Sequence, residues 1–290
     1  MEVKSNKQVV PAILITGAST GIGETCARRM AKLGYTVYAG VRRSEDARRL
    51  SRESERIIPV ILDVTNASQI AAAAAQVSRE VNGNGGLLGI VNNAGVALAG
   101  PLEFLPIDEF RRQMEINVTG LLAVTQAFMP LLRHSQGRIV HIGSNSGKVS
   151  TPFTGAYCAS KHAVEALTDA MRVELHGTGI QVALIQPGAI ATPIWEKSTA
   201  HAEDVLAKLP PQAEQYYGKA FEALRAGIGE ITKRAASPEL VADAVEHALL
   251  ATTPRTRYVV GLDAKLQLAV ARFLPDRVMD WALRKVIGLP

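Results

Sequence analysis

Short apolar runs rich in β-branched residues alternate along the chain with longer segments whose apolar residues recur three and four positions apart. The runs fall at residues 9–16, 35–41, 56–64, 87–93, 138–144, 180–188 and 257–261. Between them lie amphipathic stretches such as GETCARRMAKLG and ASQIAAAAAQVSREV. The short apolar runs predict buried strands, and the spacing of three and four predicts helices between them. Repeated strand–helix–strand units need right-handed crossovers, so we predict one parallel sheet with helices on both faces.

The alternation is interrupted at residues 189–236, where helical pieces are broken at the sequence LPP. This segment follows a strand end, which is where ligands of open α/β sheets bind, and we predict that it forms a lid over a substrate. Residues 262–290 predict a helical tail with an apolar stripe flanked by arginines. Because there is no internal repeat or linker, we expect a single domain over residues 1–290.

Composition narrows the class of protein. A chain of 290 residues with 47% apolar content can bury a large core. Its net charge of +5 comes from scattered lysines and arginines, and acidic residues interleave the one basic concentration at residues 42–56, so we expect no nucleic-acid partner. The two cysteines, Cys26 and Cys158, form no paired motif, which favours a reducing compartment.

Targeting signals are not recognisable in the sequence. Residues 1–10 lack the long apolar core of a signal peptide, and no uninterrupted apolar run approaches the roughly 18 residues that span a bilayer. We therefore expect a cytoplasmic protein.

A glycine-rich turn, TGASTGIG, lies between the first strand and the first helix. A plain strand-to-helix turn needs one glycine, whereas this one has three, at a spacing other than GxGxxG. Glycines allow a ligand to approach the backbone closely, and a helix N-terminus offers free N–H groups to a pyrophosphate. The turn therefore predicts a dinucleotide site, which includes Gly17, Ser19, Thr20, Gly21, Ile22 and Gly23.

The end of the second strand bears on which dinucleotide binds. An acidic residue there selects NAD, and a basic residue accommodates the 2′-phosphate of NADP. The chain has Gly40 and Val41 followed by Arg42 and Arg43. NADP(H) is the predicted cofactor, with Arg42 as its ligand, while NAD(H) stays open because these arginines also suit a solvated helix start.

Several short motifs follow one another in order: DV at 63–64, NNAG at 92–95, IN at 116–117, Ser144, YCASK at 157–161 and PG at 187–188. With the glycine-rich turn they resemble the short-chain dehydrogenase/reductase family over roughly residues 11–192. The sequences LDVT, VNNAG, YCASKHAVEAL and TRYVVGLDAK are similar to the branch with retinol and hydroxysteroid dehydrogenases, and bacterial ketone reductases look similar. The resemblance implies a Rossmann-type, doubly wound α/β fold with about seven strands and an NAD(P)-dependent alcohol dehydrogenase or carbonyl reductase.

The same resemblance implies roles for matching residues. The implied catalytic residues are Asn117, Ser144, Tyr157 and Lys161. Implied cofactor contacts beyond the glycine-rich turn are Asp63, Val64, Asn93, Ala94, Gly95, Tyr157, Lys161, Pro187, Gly188 and Thr192. Asn117 is expected to hold a water that links Lys161 to solvent. Each of these residues alone has an ordinary structural explanation, but the four catalytic residues in this order favour chemistry.

Carbonyl reduction needs an acid that works near neutral pH. Free tyrosine titrates near 10, and an ammonium about 4 Å from the phenol stabilises the phenolate by roughly 4 kcal/mol, or about three pKa units. The four-residue spacing puts Tyr157 and Lys161 on one helix face. We therefore predict a Tyr157 pKa near 7, with Ser144 as a second donor to the substrate oxygen.

The predicted lid is rich in apolar residues, which suits a lipophilic alcohol or carbonyl compound. With Ser144, the predicted pocket residues are Ile190, Ile194, Trp195 and Tyr216. No metal is expected, because His141 and His162 lack ligands at metal spacing. The pattern of the tail fits packing on the core, a seal over the pocket, contact in a homo-oligomer (dimer or tetramer), or rest on a membrane surface.

The predicted function is therefore interconversion of a lipophilic secondary alcohol and ketone, or primary alcohol and aldehyde, by NADP(H)-dependent hydride transfer. A catalytically silent NADP(H)-sensing regulator of the same fold is the alternative. An intact set of four catalytic residues argues against it.

Overall fold

The structure is a computed structural model that describes residues 11–81 and 86–287, without the side chains of 286 and 287. Its seven strands are β1 (Ala12–Ile15), β2 (Thr36–Val41), β3 (Ile57–Ile61), β4 (Leu87–Asn92), β5 (Arg138–Ile142), β6 (Gln181–Pro187) and β7 (Arg257–Val260). Each falls within a predicted run. The first run was predicted to begin at residue 9, and residues 9 and 10 lie outside the described part.

The strands form one parallel sheet in the order β3-β2-β1-β4-β5-β6-β7. The order reverses between β1 and β4, and the carboxyl ends of strands at such a reversal form the usual ligand crevice of open α/β sheets. Pro59 lies in β3, at the edge of the sheet, where the missing N–H costs least. The predicted seven-stranded, doubly wound fold is confirmed.

The helices before β6 are α1 (Gly21–Lys32), α2 (Ser44–Ser51), α3 (Ala67–Val81), α4 (Ile107–Met114), α5 (Gly120–Ser135) and α6 (Gly155–Glu174). A π-helical turn, Glu115–Thr119, joins α4 to α5, and a 3₁₀ turn, Asn145–Gly147, follows β5. After β6 come α7 (Ile194–Leu206), α8 (Pro211–Lys233), α9 (Glu239–Leu250), α10 (Leu262–Phe273) and α11 (Asp276–Ile287).

Two apolar layers cover the two faces of the sheet. Alternate residues of β1 point to opposite faces, so Ile13 joins the layer of α1 and α9, and Leu14 joins that of α3 and α5. Phe128 of α5 is fully buried in the second layer. Because both faces are buried, the strands are almost continuously apolar, which is why their positions were readable from the sequence.

The helical stretch Ile107–Ser135 is long and apolar enough to cross a membrane by length and composition, with a mean hydropathy of 1.2. We expected no uninterrupted apolar run of that length, and here polar residues are interspersed along the stretch. Val124, Phe128 and Leu132 of α5 are fully buried against the sheet. The core helices of soluble proteins have this same composition.

The segments beyond β6 differ from the core in their exposure. Residues 189–236 contain α7 and α8, which are separated at 207–210, next to the LPP sequence. In the tail, Leu262, Leu266, Phe273 and Trp281 are 84%, 67%, 79% and 57% exposed. These four side chains do not pack on the core of their own chain, whereas Ala264 at the start of α10 is fully buried. The tail therefore packs on the core in part and leaves an apolar face exposed.

Candidate active site

The glycine-rich turn between β1 and α1 has a shape that side chains would block. Gly17 and Gly21 have φ values of +62° and +60°, in the left-handed region that suits glycine. A Cβ at Gly23 would overlap the carbonyl oxygen of Gly17 and the amide of Asn93. The Thr20 side chain does not cap α1, so it leaves the first N–H groups of the helix to other acceptors. This cradle fits the pyrophosphate of a dinucleotide.

The loop after β4 holds the glycine-rich turn in place. Asn93 Nδ2 donates to the carbonyl oxygens of Thr16 at 3.0 Å and Gly17 at 3.1 Å. The Thr16 hydroxyl accepts from the N–H groups of Asn93 and Ala94, both at 3.0 Å. A Cβ at Gly17 would lie only 2.9 Å from Ala94 Cα. Backbone atoms of two loops are therefore locked together at the point where the strand order reverses.

The glycine-rich turn has a further contact that the sequence did not predict. Arg49 of α2 donates to the Ser19 carbonyl oxygen at 2.6 Å and to Glu24 of α1 at 2.9 Å. We interpreted residues 42–56 as a mostly solvated face, and only the packing of α2 beside α1 shows this contact. Ile22, a predicted cofactor residue, is partly buried against the core.

Arg42 and Asp63 follow neighbouring strands and line a cavity of about 800 Å³. Arg42 is exposed and, among the described residues, forms no salt bridge, whereas Arg43 lies 3.6 Å from Asp46. Asp63 Oδ1 accepts from the Thr65 N–H and hydroxyl at 3.0 and 2.8 Å. A free cation at the end of the second strand is the arrangement that accommodates the 2′-phosphate of NADP.

The loop after β6 closes on the same cradle. β6 ends at Pro187, and the following Gly188 lies under the Asp263 carboxylate, which a Cβ there would overlap. Asp263 Oδ2 accepts from the Ala189 N–H at 2.7 Å. A Cβ at Gly21 would lie 3.0 Å from Thr192 Cβ, so Thr192 lies directly against the glycine-rich turn.

Helix α6 and the end of β5 bring three predicted catalytic residues together. Lys161 follows Tyr157 by one turn, and its Nζ lies 5.7 Å from the centre of the Tyr157 ring. Lys161 Nζ donates to the Ile142 carbonyl oxygen at 2.8 Å. Ser144 lies close enough to the Tyr157 phenol to favour its charged form. The three side chains meet at the carboxyl edge of the sheet, beside the glycine-rich turn.

The pKa of Tyr157 differs from the sequence prediction. Burial raises it to about 12, and the nearby Ser144 hydroxyl opposes this only in part. The prediction assumed an ammonium about 4 Å from the phenol oxygen. In the structure that ammonium donates to Ile142 instead, so removal of water from the phenol is the larger effect.

Burial also lowers the pKa of Lys161, to about 8, because the ammonium is removed from water without a carboxylate beside it. His141, on β5, is fully buried and its pKa is lowered to about 3, first by burial and then by the charge of Lys161. Its Nδ1 lies 2.9 Å from the Thr168 hydroxyl. Near neutral pH the His141 imidazole is therefore neutral, and Lys161 is the member of the two that brings a charge to the site.

Asn117 lies in the π-helical turn and is fully engaged with its neighbours. Its Oδ1 accepts from the Val96 N–H at 2.9 Å, and its Nδ2 donates to the Val96 carbonyl oxygen at 2.9 Å and to Ser160 Oγ at 3.0 Å. Ser160 in turn donates to the Tyr157 carbonyl oxygen at 2.7 Å. Asn117 thus joins the NNAG loop to α6, while its expected role in holding a water stays a prediction.

An ion cluster supports α6 one turn beyond Lys161. Glu165 is buried, and its carboxylate lies 3.0 Å from both Lys148 and Arg257. Gln186 of β6 donates to it at 2.5 Å. Because a buried carboxylate needs such partners, the cluster ties α6 to β6, β7 and the loop after β5. The sequence contains no local signal for it, since its members lie up to 109 residues apart.

The predicted pocket residues differ in exposure and contacts. Ile190 is buried in the core layer of α1 and α9. Trp195 donates its Nε1 to the Ile190 carbonyl oxygen at 2.8 Å, and Ile194 is at the exposed border. Tyr216 is 60% exposed and stacks on Phe104, with ring centroids 6.5 Å apart.

Side chains from α8 form an aromatic cluster with Phe153, which lies just before α6. The Phe153 ring is 5.7 Å from that of Tyr217 and 5.6 Å from that of Phe221. Phe153 has a φ of +64°, a conformation that non-glycine residues rarely adopt. Tyr217 donates to Glu103 at 2.8 Å, and His201 of α7 lies 2.9 Å from Glu109. Residues 189–236 are therefore attached to the site mainly by side chains.

The sequence of this chain is similar to those of known proteins. Residues 11–203 match the short chain dehydrogenase family. Retinol dehydrogenase 5 of Mus musculus is 36% identical, with 98% of this chain and 92% of that protein covered. The NADPH-dependent 3-dehydrocapnine reductase of Ornithobacterium rhinotracheale is 35% identical, with 92% and 94% covered.

A solved structure matches the fold over almost the whole chain. It is a short chain dehydrogenase from Burkholderia cenocepacia in complex with NADP, with a TM-score of 0.71 and 26% identity. The match covers 98% of this chain and 100% of that chain. The predicted resemblance, including its retinol dehydrogenase branch and its bacterial reductases, is confirmed.

Proposed function

The chain belongs to the short-chain dehydrogenase family of oxidoreductases, and on that premise we propose NADP(H)-dependent hydride transfer between a lipophilic secondary alcohol and its ketone, or a primary alcohol and its aldehyde. One observation carries the proposal. Ser144, Tyr157 and Lys161 meet beside a cradle that only glycine can form.

Each of these side chains has a task in the proposed reaction. When bound, the nicotinamide cofactor supplies or accepts the hydride. Tyr157 donates a proton to the substrate oxygen in the reducing direction, and Ser144 holds the same oxygen as charge develops. Lys161 places an ammonium 5.7 Å from the centre of the Tyr157 ring, and a cation there favours the charged form of the phenol. We propose that Asn117 keeps the NNAG loop and α6 in register.

We propose NADP(H) rather than NAD(H) because Arg42 is an exposed cation without a salt bridge to any described residue. The names of the Ornithobacterium reductase and the Burkholderia complex, which mention NADPH and NADP, support this choice. Replacing Arg42 by Ala should weaken use of NADPH roughly 10- to 150-fold relative to NADH, since one charged hydrogen bond contributes about 1.5–3 kcal/mol. Equal kcat/KM values with the two cofactors in the parent protein would contradict the choice.

The proposed substrate is lipophilic because α8 presents aromatic side chains beside the site. Phe153 and Phe221 are buried in an apolar cluster, and the partly buried Tyr217 packs against it. A substrate with a free phosphate or sugar would leave its polar groups without partners there. Residues 189–236 are proposed as the lid that covers this substrate.

The decisive experiment is a turnover screen of the purified protein with NADPH and NADH. Its substrates are hydrophobic ketones and aldehydes, and the corresponding alcohols with the oxidised cofactors. We expect NADPH oxidation with apolar carbonyl compounds and little with sugar or phosphate substrates. Tight NADPH binding without turnover of any compound would instead favour a catalytically silent cofactor sensor.

We propose that the protein is cytoplasmic and forms a homo-oligomer, a dimer or tetramer, through the tail. Leu262, Leu266, Phe273 and Trp281 leave large apolar side chains exposed on α10 and α11, and exposed apolar patches mark contact surfaces. A second copy of α10 and α11 would cover these side chains. Light scattering of the full chain should show more than one subunit, and sedimentation with vesicles by an otherwise monomeric protein would favour the membrane alternative.

A further inference from the structure

Helix α10 returns to the catalytic edge of the sheet after β7. It begins at Leu262, beyond residues 11–203 that match the family, and packs against the 3₁₀ turn Asn145–Gly147. Asp263 and Gln267 lie one turn apart on it, so they share a face. That face is directed to the site, and a seal over the pocket is one of the roles predicted above for residues 262–290.

A chain of hydrogen bonds runs from this helix to the catalytic serine. Asn145 Nδ2 donates to Gln267 Oε1 at 2.5 Å. The Ser144 hydroxyl donates to Asn145 Oδ1 at 3.0 Å and accepts from the Ser146 N–H at 3.1 Å. Asn145 thus uses both ends of its amide, one toward Ser144 and one toward Gln267.

The position of Ser144 Oγ depends on these contacts. A serine side chain rotates about one bond, and its hydroxyl is useful only if Oγ stays within hydrogen-bond reach of the reacting oxygen. One restraint is the Ser146 N–H, and the other is Asn145. Asn145 Oδ1 also accepts from the Ser146 N–H at 3.0 Å, so without Gln267 the Asn145 side chain would keep the contacts of its oxygen and lose the one that holds its amide nitrogen.

Gln267 is itself held on a fixed support. Asp263 accepts from the Ala189 N–H at 2.7 Å, and Ala264 is fully buried. Both contacts attach the start of α10 to the loop after β6. Gln267 therefore occupies a defined position relative to Asn145, in contrast to the exposed side chains on the rest of the helix.

We propose that Gln267 is a positioning residue for the reaction and acts through Asn145 on the Ser144 hydroxyl. The inference rests on the proposed function, because it requires Ser144 to contact the substrate oxygen. It assigns to α10 a part in the active site, in addition to any contact that its apolar face makes.

Two substitutions at one position test the hydrogen bond. Gln267→Leu removes the acceptor at similar volume and should lower kcat roughly five- to tenfold, since one hydrogen bond contributes about 1 kcal/mol. Gln267→Glu keeps an acceptor oxygen and should retain kcat within about twofold of the parent. The KM for NADPH should not change in either variant. Lys265→Leu, an exposed change on the same helix, is the matched control and should have no effect.

A double-mutant cycle separates positioning from a general loss of structure. If Gln267 acts through Ser144, Gln267→Leu should cause no further loss of kcat in a Ser144→Ala background. The same five- to tenfold loss in both backgrounds would overturn the inference, as would parental kcat in Gln267→Leu. In those outcomes an active parent leaves the proposed function intact. A parent without turnover of any carbonyl compound would overturn both.

Discussion

The two sides of the candidate site are built in different ways. The cofactor side consists of backbone: glycines in left-handed conformations, buried N–H and carbonyl groups, and Asn93 between Thr16 and Gly17. The lid side, residues 189–236, is attached by Tyr217 to Glu103, by His201 to Glu109 and by stacked aromatic rings. Few amino-acid substitutions preserve a site that is built from backbone atoms in special conformations. Side chains that only make contacts can be substituted more easily.

This difference separates what is general in the site from what is specific. The backbone side receives the part of the reaction that all substrates share, and its residues lie within the family match at 11–203. The lid lies mostly beyond it and would set which substrate enters. Changes on the cofactor side should therefore have large effects on every substrate, and changes on the lid should have small effects that depend on the substrate.

The largest effect is expected for Tyr157→Phe, which removes the phenol and keeps the ring. A general acid contributes about 10²–10⁴ in rate, so kcat should fall roughly 1000-fold for every substrate. NADPH affinity, measured by fluorescence titration, should stay within about threefold. Near-parental turnover would show that the proton comes from another group.

The next effect is expected for Gly23→Ala, which tests the backbone cradle. The new methyl group would overlap the Gly17 carbonyl oxygen and the Asn93 amide, so the backbone of the turn must shift. NADPH affinity should fall about 100-fold, because a displacement of the turn by about 1 Å disrupts several backbone contacts at once.

Gly227→Ala on the lid helix is the matched control for this change. A Cβ at Gly227 meets no atom within 4 Å, and alanine favours a helix over glycine by about 1 kcal/mol. This variant should bind NADPH normally and melt at a slightly higher temperature. Equal losses of affinity in the two variants would contradict a difference between the two sides.

A third prediction concerns Lys161, whose positive charge is destabilised by burial. The pKa of Lys161 is lowered from 10.5 to about 8 by burial. Below pH 8 the lysine is charged in both folded and unfolded states, so burial of the charge lowers the free energy of unfolding by its full amount. Between pH 8 and 10.5 the folded state releases its proton first, and this lowering becomes smaller as pH rises.

Lys161→Met should therefore stabilise the cofactor-free protein by about 2 kcal/mol at pH 7, allowing for the lost hydrogen bond to Ile142. The difference in melting temperature from the parent should shrink as the pH rises from 7 to 10. Lys265→Met, an exposed change, should show no such pH dependence. A destabilised Lys161→Met protein at pH 7 would mean that Lys161 has a favourable partner in the fold.

The smallest effect is expected for Tyr217→Phe on the lid, which removes only the hydroxyl that donates to Glu103. The hydrogen bond is solvent-exposed, so the KM of bulky substrates should rise about threefold and kcat should hardly change. Tyr216→Phe, a change in the neighbouring exposed ring, is the control. A kcat loss comparable to that of Tyr157→Phe would place Tyr217 in the chemistry rather than in the lid.

Sequence patterns were sufficient for the parts of this protein that depend on neighbouring residues. The seven buried strands are apolar on both faces, so each was recognisable as a run, and the glycine-rich turn was recognisable because three glycines exceed the need of a simple turn. Tyr157 and Lys161 share a face because of helical geometry alone. The order of the motifs then pointed to the family.

The remaining features depend on residues far apart in the chain, which only the folded structure brings together. Ile190 carries the same apolar signal as a pocket residue, and the tertiary structure buries it in the core. The pKa of Tyr157 depends on where Lys161 Nζ points and on how much water is removed, and neither follows from a four-residue spacing. Gln267 meets Asn145 across 122 positions, because two strand ends and a helix converge at one edge of the sheet. Local spacing decides which groups can act together, and long-range packing decides their solvation, their partners and hence their chemistry.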